Sequence, residues 1–162
     1  MCLADLLCGR SPLLDDQARP LFVRMARILA QLLGNGWLPH THSADPVIWR
    51  PRECNVPSDH LCNLAMDTGI SWNHIDKDLL HDCLTLGCNV QVHSDGGFRN
   101  RTCASTGWTI HVWRQSKTGE WTRTLIGRGC TFLEKCESSF MAEALALEGA
   151  MDLMVRLFCK TA

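Results

Sequence analysis

The sequence predicts a single α/β domain with a mixed sheet and flanking helices. Apolar and polar residues alternate at Val90 and Val92 within residues 90–95, and at Trp108, Ile110 and Val112 within residues 104–113, which is the period of β-strands. Residues 121–132 give a third strand after a polar turn that contains Gly119. A short apolar stretch at residues 47–50 indicates a further strand. We expect the three longer strands to form an antiparallel meander, with strand 47–50 added in parallel beside the first of them through a right-handed crossover.

Four segments show the apolar spacing or the start and stop residues of helices. Residues 20–33 follow two aspartates and stop at Gly34-Asn35-Gly36. The final helix begins at Ser138 or Ser139, since either is a good N-cap, and runs to about Cys159. Between them we expect helices over residues 57–68 and residues 73–84. We expect Met151 in the core together with Val90, Val92, Leu147 and Phe158.

The charge of the chain is unevenly distributed. The net charge is −1, but between Gly96 and Glu137 the chain carries seven basic residues and three acidic ones. A local basic surface suits a polyanionic ligand better than a membrane, although a solvated hairpin surface is an equally good explanation.

The ten cysteines contain no Cys-x-x-Cys pair, and the histidines near them, His40, His42 and His60, complete no convincing tetrahedral set. We therefore expect no structural zinc. The amino terminus is a poor signal peptide, because Asp5 and Arg10 interrupt its apolar run, and no stretch has the length of a membrane span. These features predict reduced thiols and an intracellular protein, cytoplasmic or nuclear.

Two carboxylates stand out in this arrangement. Asp95 ends the first predicted strand and precedes Gly96 and Gly97, although acids before glycine are also ordinary turn formers. Glu143 lies at the margin of the apolar face of the last helix, where a carboxylate is costly unless a cation or donor meets it. Its alternative role is to favour the helix N-terminus. We expect both carboxylates on one side of the sheet, close enough to share a cation.

The order of these segments resembles the ribonuclease H family. Residues 90–97 resemble the family's first strand, residues 107–110 its second, and residues 139–147 its first long helix. The resemblance implies that Asp95 and Glu143 bind a catalytic Mg²⁺ or Mn²⁺ ion. Carboxylate oxygens are the ligands that magnesium prefers, and two such ions promote phosphodiester hydrolysis.

A second resemblance lies upstream of the first. Residues 49–65 resemble the last strand and last helix of ribonuclease H domains from retroelement reverse transcriptases, and Asp59 matches the final metal ligand there. Its alternative role is a helix-start acid. By this reading residues 1–72 correspond to the end of the domain, residues 73–88 to a helical connector and residues 89–162 to its first half. The chain is then either permuted or a junction fragment of two tandem domains, and the strand that carries another metal-binding aspartate is missing.

The resemblance implies a metal-dependent nuclease that hydrolyses the RNA strand of RNA–DNA hybrids. Trp108, Trp113 and Trp121 would be partly available for stacking. The nucleic-acid contacts would be made by the basic hairpin residues Arg99, Arg101, Arg114, Lys117 and Arg123. Two alternatives remain open: a catalytically incomplete nucleic-acid-binding remnant of the fold, and a protein-interaction domain with no nucleic-acid role.

Overall fold

The computed structural model describes residue 16, residues 18–36, residue 48 and residues 50–159. These residues form four α-helices, one 3₁₀ turn and four β-strands. In chain order the elements are α1 (Arg19–Gly34), the 3₁₀ turn (Arg52–Cys54), α2 (Val56–Thr68), β1 (Trp72–Ile75), α3 (Lys77–Leu86), β2 (Asn89–Asn100), β3 (Cys103–Gln115), β4 (Trp121–Leu133) and α4 (Ser139–Phe158).

The sheet has the order β1-β4-β3-β2, and every neighbouring pair is antiparallel. The predicted mixed α/β class and the antiparallel meander of β2, β3 and β4 are confirmed. The predicted parallel strand at 47–50 is not: Ile48 and Arg50 belong to no strand, and residues 47 and 49 lie outside the described residues. The fourth strand is instead β1, which pairs with β4 at the opposite edge.

The prediction of one helix over residues 73–84 was wrong at its start. Residues Trp72–Ile75 form β1, and the helix begins only at Lys77. The reason is Asp76, whose side chain accepts hydrogen bonds from the backbone N–H groups of Asp78 and Leu79. This N-cap satisfies two donors at the helix start and leaves the preceding residues free to pair with β4.

The other three helices agree with their sequence signals. Ser138 caps α4 by accepting a hydrogen bond from the Met141 backbone N–H at 3.1 Å. Gly69 ends α2 in the left-handed conformation, with φ +65°, which costs a glycine little. Helix α1 begins with Pro20 in its first turn and ends at Gly34.

Helices cover both faces of the sheet. On one face α3 and α4 pack over buried Ile110, Val112 and Ile126, and α1 packs on the outer side of α4. On the other face α2 packs against Cys130 and Trp72. Met151 is buried as predicted, whereas Val90, Val92, Leu147 and Phe158 are partly buried and pack against the core. No helix among the described residues is long and apolar enough to cross a membrane.

Candidate carboxylate site

Asp95 lies in the middle of a strand and not at its end, contrary to the sequence prediction. Strand β2 continues through Gly96 and Gly97 to Asn100, and Asp95 pairs with Gly107 of β3. The glycines serve the packing of helices. A Cβ atom at Gly96 would overlap the α4 backbone at Ala142, and one at Gly97 would lie 2.6 Å from the Met66 Cε atom of α2.

These glycines also show which way Asp95 points. Successive residues of a strand project to opposite faces, so Asp95 and Gly97 share the face that α2 covers. The strand partner of Asp95, Gly107, agrees, because a Cβ atom there would meet the Ser58 carbonyl oxygen of α2. The Asp95 carboxylate therefore projects toward the first turns of α2, the helix that carries Asp59.

The environment of Asp95 disfavours its ionised form. Burial, with the charges of Asp59 and Glu143, raises the pKa of this carboxyl to about 6, although a hydrogen bond from the Gly96 backbone and the charge of Arg52 oppose the rise. Three acids from three separate elements therefore share one electrostatic environment. Asp59 has the larger influence of the two neighbours.

Asp59 reaches this position through the segment that precedes α2. Its carboxylate lies in the first turn of the helix and forms an ion pair with Arg52 at 2.6 Å. The Asn55 side-chain amide donates a 2.9 Å hydrogen bond to the Ser94 carbonyl oxygen, which fastens this segment to β2 beside Asp95. The side-chain amide of Asn63 donates to the Asp59 backbone oxygen at 3.0 Å. Asp59 is thus brought beside Asp95, and Arg52 partly neutralises it.

Glu143 differs from its predicted setting in two ways. The residue is exposed, while its neighbours Ala142 and Ala144 are buried, so it does not lie on the packing side of α4. Helix α4 also covers the face opposite to the one from which Asp95 projects, contrary to the expectation that both carboxylates share one side. Because β2 is an edge strand, the charge of Glu143 still raises the pKa of Asp95. Partial burial raises the pKa of Glu143 itself.

Cys62 is a neighbour of the site that sequence reasoning missed. Its thiol donates a 3.0 Å hydrogen bond to the Asp95 backbone oxygen, and the Ser105 hydroxyl donates to the Cys62 backbone oxygen at 2.8 Å. Burial and the charge of Asp95 raise the pKa of the Cys62 thiol to about 12. The thiol is therefore protonated at neutral pH, which suits a structural link between α2 and β2 and not a nucleophile or metal ligand.

The three carboxylates are of the ligand type that magnesium prefers, but their positions suit a magnesium site only in part. Asp95, Asp59 and Glu143 offer the hard carboxylate oxygens that Mg²⁺ prefers, and their mutual repulsion would be relieved by a cation. However, the described part of the chain contains no group of three or more His, Cys, Asp or Glu side chains placed to hold one metal ion. Full use of Asp59 would require it to leave Arg52.

The five basic residues predicted to contact nucleic acid do not form one patch. Arg99 and Arg101 lie at one end of β3, while Arg114, Lys117 and Arg123 lie at its other end. A strand of 13 residues separates the two groups by roughly 40 Å. Arg99 pairs with Asp67, Arg101 with Glu137, and Arg114 approaches Asp82 at 4.0 Å. Such exposed pairs are weak, so these side chains can exchange partners.

The three tryptophans of the hairpin have different environments. Trp108 is partly buried, and its ring packs against the core residue Ile110 and the backbones of Gly127 and Gly129. Trp113 is partly buried, whereas Trp121 is 53% exposed. The predicted stacking surface is therefore confined to the end of the sheet where β3 turns into β4.

Comparisons of this chain with protein-family models, with curated proteins and with solved structures gave no match. The resemblance to ribonuclease H therefore rests on the sequence motifs of this chain alone.

Proposed function

We propose that this chain is a ribonuclease H-like nuclease of retroelement type, which hydrolyses the RNA strand of RNA–DNA hybrids with the help of Mg²⁺ or Mn²⁺. The observation that carries the proposal is that the charges of Asp59 and Glu143, which come from two other elements, both act on the partly buried Asp95 and help to raise its pKa to about 6. Catalytic and metal sites commonly contain carboxylates whose pKa values are raised by burial and by the repulsion of neighbouring acids.

In this proposal Asp95 is the central ligand, because it is the acid whose charge the other two oppose. Glu143 approaches from the exposed end of α4 and Asp59 from the first turn of α2. Arg52 holds the Asp59 carboxylate at 2.6 Å and would release it when a competing cation arrives. When bound, the metal ion would supply charge neutralisation and an activated water for attack on the phosphodiester.

The test is magnesium binding by the whole chain, followed by calorimetry and by thermal unfolding. Because a cation that binds only the folded state raises its stability, millimolar Mg²⁺ should raise the melting temperature of the wild type. Asp95→Asn should abolish that rise, while Asp67→Asn, which changes an exposed acid on the same helix as Asp59, should retain it. Equal heats and equal shifts in wild type and Asp95→Asn would leave the carboxylates without a metal role.

A catalytically incomplete nucleic-acid-binding remnant is the second candidate. The Arg52–Asp59 ion pair and the lack of a three-ligand group among the described residues favour it. Such a protein would bind an RNA–DNA hybrid with steep salt dependence but would neither cleave it nor respond to magnesium. A salt titration of hybrid binding, run beside a cleavage assay, separates this candidate from the nuclease and from a protein-interaction domain.

A further inference from the structure

A cluster of one arginine and two histidines lies on the sheet face from which Asp95 projects. The Arg123 guanidinium Nη2 lies 3.4 Å from His93 Nε2 and 3.2 Å from His111 Nδ1. The two imidazole rings meet edge to face, with centroids 5.7 Å apart. His93 is two residues before Asp95 on β2, so the cluster lies on the same face about 7 Å along the strand from that carboxylate.

The arginine is held in place by an aromatic platform. Its guanidinium carbon lies 5.8 Å from the centroid of the Trp113 ring, which is a cation–π geometry. The Trp113 ring is fixed in turn by a 3.1 Å hydrogen bond from its Nε1 to the Gln91 side-chain oxygen. Arg123 itself is exposed, so its outer N–H groups can reach a ligand in solution.

Arg123 of this cluster has no ion-pair partner among the described residues. Five other arginines of the described chain, Arg19, Arg24, Arg52, Arg99 and Arg156, have a carboxylate oxygen within 2.9 Å. Arg123 contacts imidazoles and an indole ring, and no ion pair joins it to an acid among the described residues.

The two histidines are uncharged at neutral pH because of where they lie. Burial, followed by the charges of Arg123 and Arg50, lowers the pKa of His93. Burial, Arg123 and His93 lower the pKa of His111 to about 4. Thr109, which pairs with His93 across β3, is 3% exposed, and its hydroxyl has no hydrogen-bond partner. Arg123 donates to the imidazole nitrogens His93 Nε2 and His111 Nδ1, and its remaining N–H groups meet no acidic side chain among the described residues.

We propose that Arg123, His93 and His111 form an oxyanion site that binds one phosphate group of a nucleic-acid strand beside the carboxylate site. This inference rests on the proposed function, since it places a second phosphate contact along β2 from Asp95. Arg123 would supply the charge that a phosphate group needs, because its outer N–H groups are exposed and a guanidinium binds phosphate oxygens strongly.

The experiment uses the whole chain and inorganic phosphate as the probe. The ring resonances of His93 and His111 are followed by NMR during phosphate titration at constant pH, with Mg²⁺ absent. In the wild type they should shift in a saturable manner. Arg123→Gln should weaken phosphate binding by about tenfold or more, the scale of losing a hydrogen bond to a charged group.

Arg128→Gln is the matched control. Arg128 is on the same strand and also lies 5.8 Å from a tryptophan centroid, that of Trp72; its cross-strand neighbours are His74 and Thr109, and it forms no hydrogen bond to a histidine among the described residues. It should bind phosphate within about twofold of the wild type, the weak effect of a screened surface charge. The proposal is overturned if phosphate at tens of millimolar leaves both histidines unmoved, or if the two arginine variants lose affinity equally. His93→Asn, with an unchanged melting temperature, should also weaken binding.

The same measurement separates this site from the nuclease proposal. Asp95→Asn should still shift both histidines on adding phosphate, because the cluster does not use that carboxylate. If phosphate shifts the two histidines but magnesium has no effect on stability, the oxyanion site is supported and the nuclease proposal is contradicted. If magnesium raises the stability but phosphate leaves the histidines unshifted, the nuclease proposal is supported and the oxyanion site is contradicted.

Discussion

Replacing Asp95 with asparagine should stabilise the metal-free protein at neutral and alkaline pH. The pKa of Asp95 is about 6, against an ordinary value of 3.8. A carboxyl whose pKa is raised by folding favours the folded state while protonated, fully below pH 3.8, and loses that contribution as the pH rises through about 6. Asparagine carries no charge and keeps an acceptor for the Gly96 N–H group, so it avoids the loss.

The magnitude follows from the size of the rise in pKa. A change from 3.8 to about 6 corresponds to about 3 kcal/mol in the free energy of unfolding. Because Asp95 is only partly buried, solvent screening reduces this, and we expect about 1–2 kcal/mol. For a chain of 162 residues this is a rise of roughly 2–8 °C in melting temperature.

Urea unfolding in the presence of a chelator measures the effect. Asp95→Asn should exceed the wild type in the free energy of unfolding at about pH 8, and the difference should vanish at about pH 3.5, below the ordinary pKa. Asp67→Asn is the control: it removes an exposed ion pair with Arg99 and should be neutral or slightly destabilising. A destabilised Asp95→Asn protein at pH 8, or a difference that does not change with pH, would refute the electrostatic reasoning.

Two further substitutions test the packing around the site. Gly96→Ala should destabilise strongly, by more than about 2 kcal/mol, because its Cβ would overlap the α4 backbone at Ala142 and Glu143. At Gly149 on α4 an added Cβ atom would meet nothing within 4 Å, so Gly149→Ala should stabilise the protein by about 0.5–1 kcal/mol. If urea unfolding shows equal effects for the Gly96 and Gly149 variants, the close packing of α4 on Gly96 is contradicted. Met151→Ala should cost about 2–5 kcal/mol, since Met151 is 6% exposed between α1 and α4; a near-neutral unfolding midpoint would show that it does not pack there.

The sequence predicted the long elements well because their signals are local. Period-two alternation placed β2 and β3, the polar turn around Gly119 placed β4 after them, and a serine cap with a long apolar face placed α4. Strand β1 was missed because four residues are too few to show alternation, and both of its inward residues, Trp72 and Ile75, lie at its ends. Only the cap at Asp76 separates it from the helix that follows.

The site was predictable only in part, because its geometry depends on contacts between residues that are distant in the sequence. Two glycines after Asp95 are compatible with a turn and equally with a strand on which helices pack closely. The structure shows close packing, because Ala142 lies against Gly96 and Met66 against Gly97. The Arg123 cluster depends on strand register, because Gln91 pairs with His111 and Trp113 pairs with Arg123. Residues 30 positions apart, such as His93 and Arg123, give no local signal that they meet.

The segment that carries Asp59 is fastened to the sheet. Hydrogen bonds run from Asn55 to Ser94, from Cys62 to Asp95 and from Ser105 to Cys62. These bonds hold the two segments together, so Asp59 belongs to the same structural unit as Asp95. Because Gly107 admits the α2 backbone at Ser58, the distance between Asp59 and Asp95 is set by main-chain packing. A bulkier residue at Gly107 should therefore disturb the carboxylate site and the fold together.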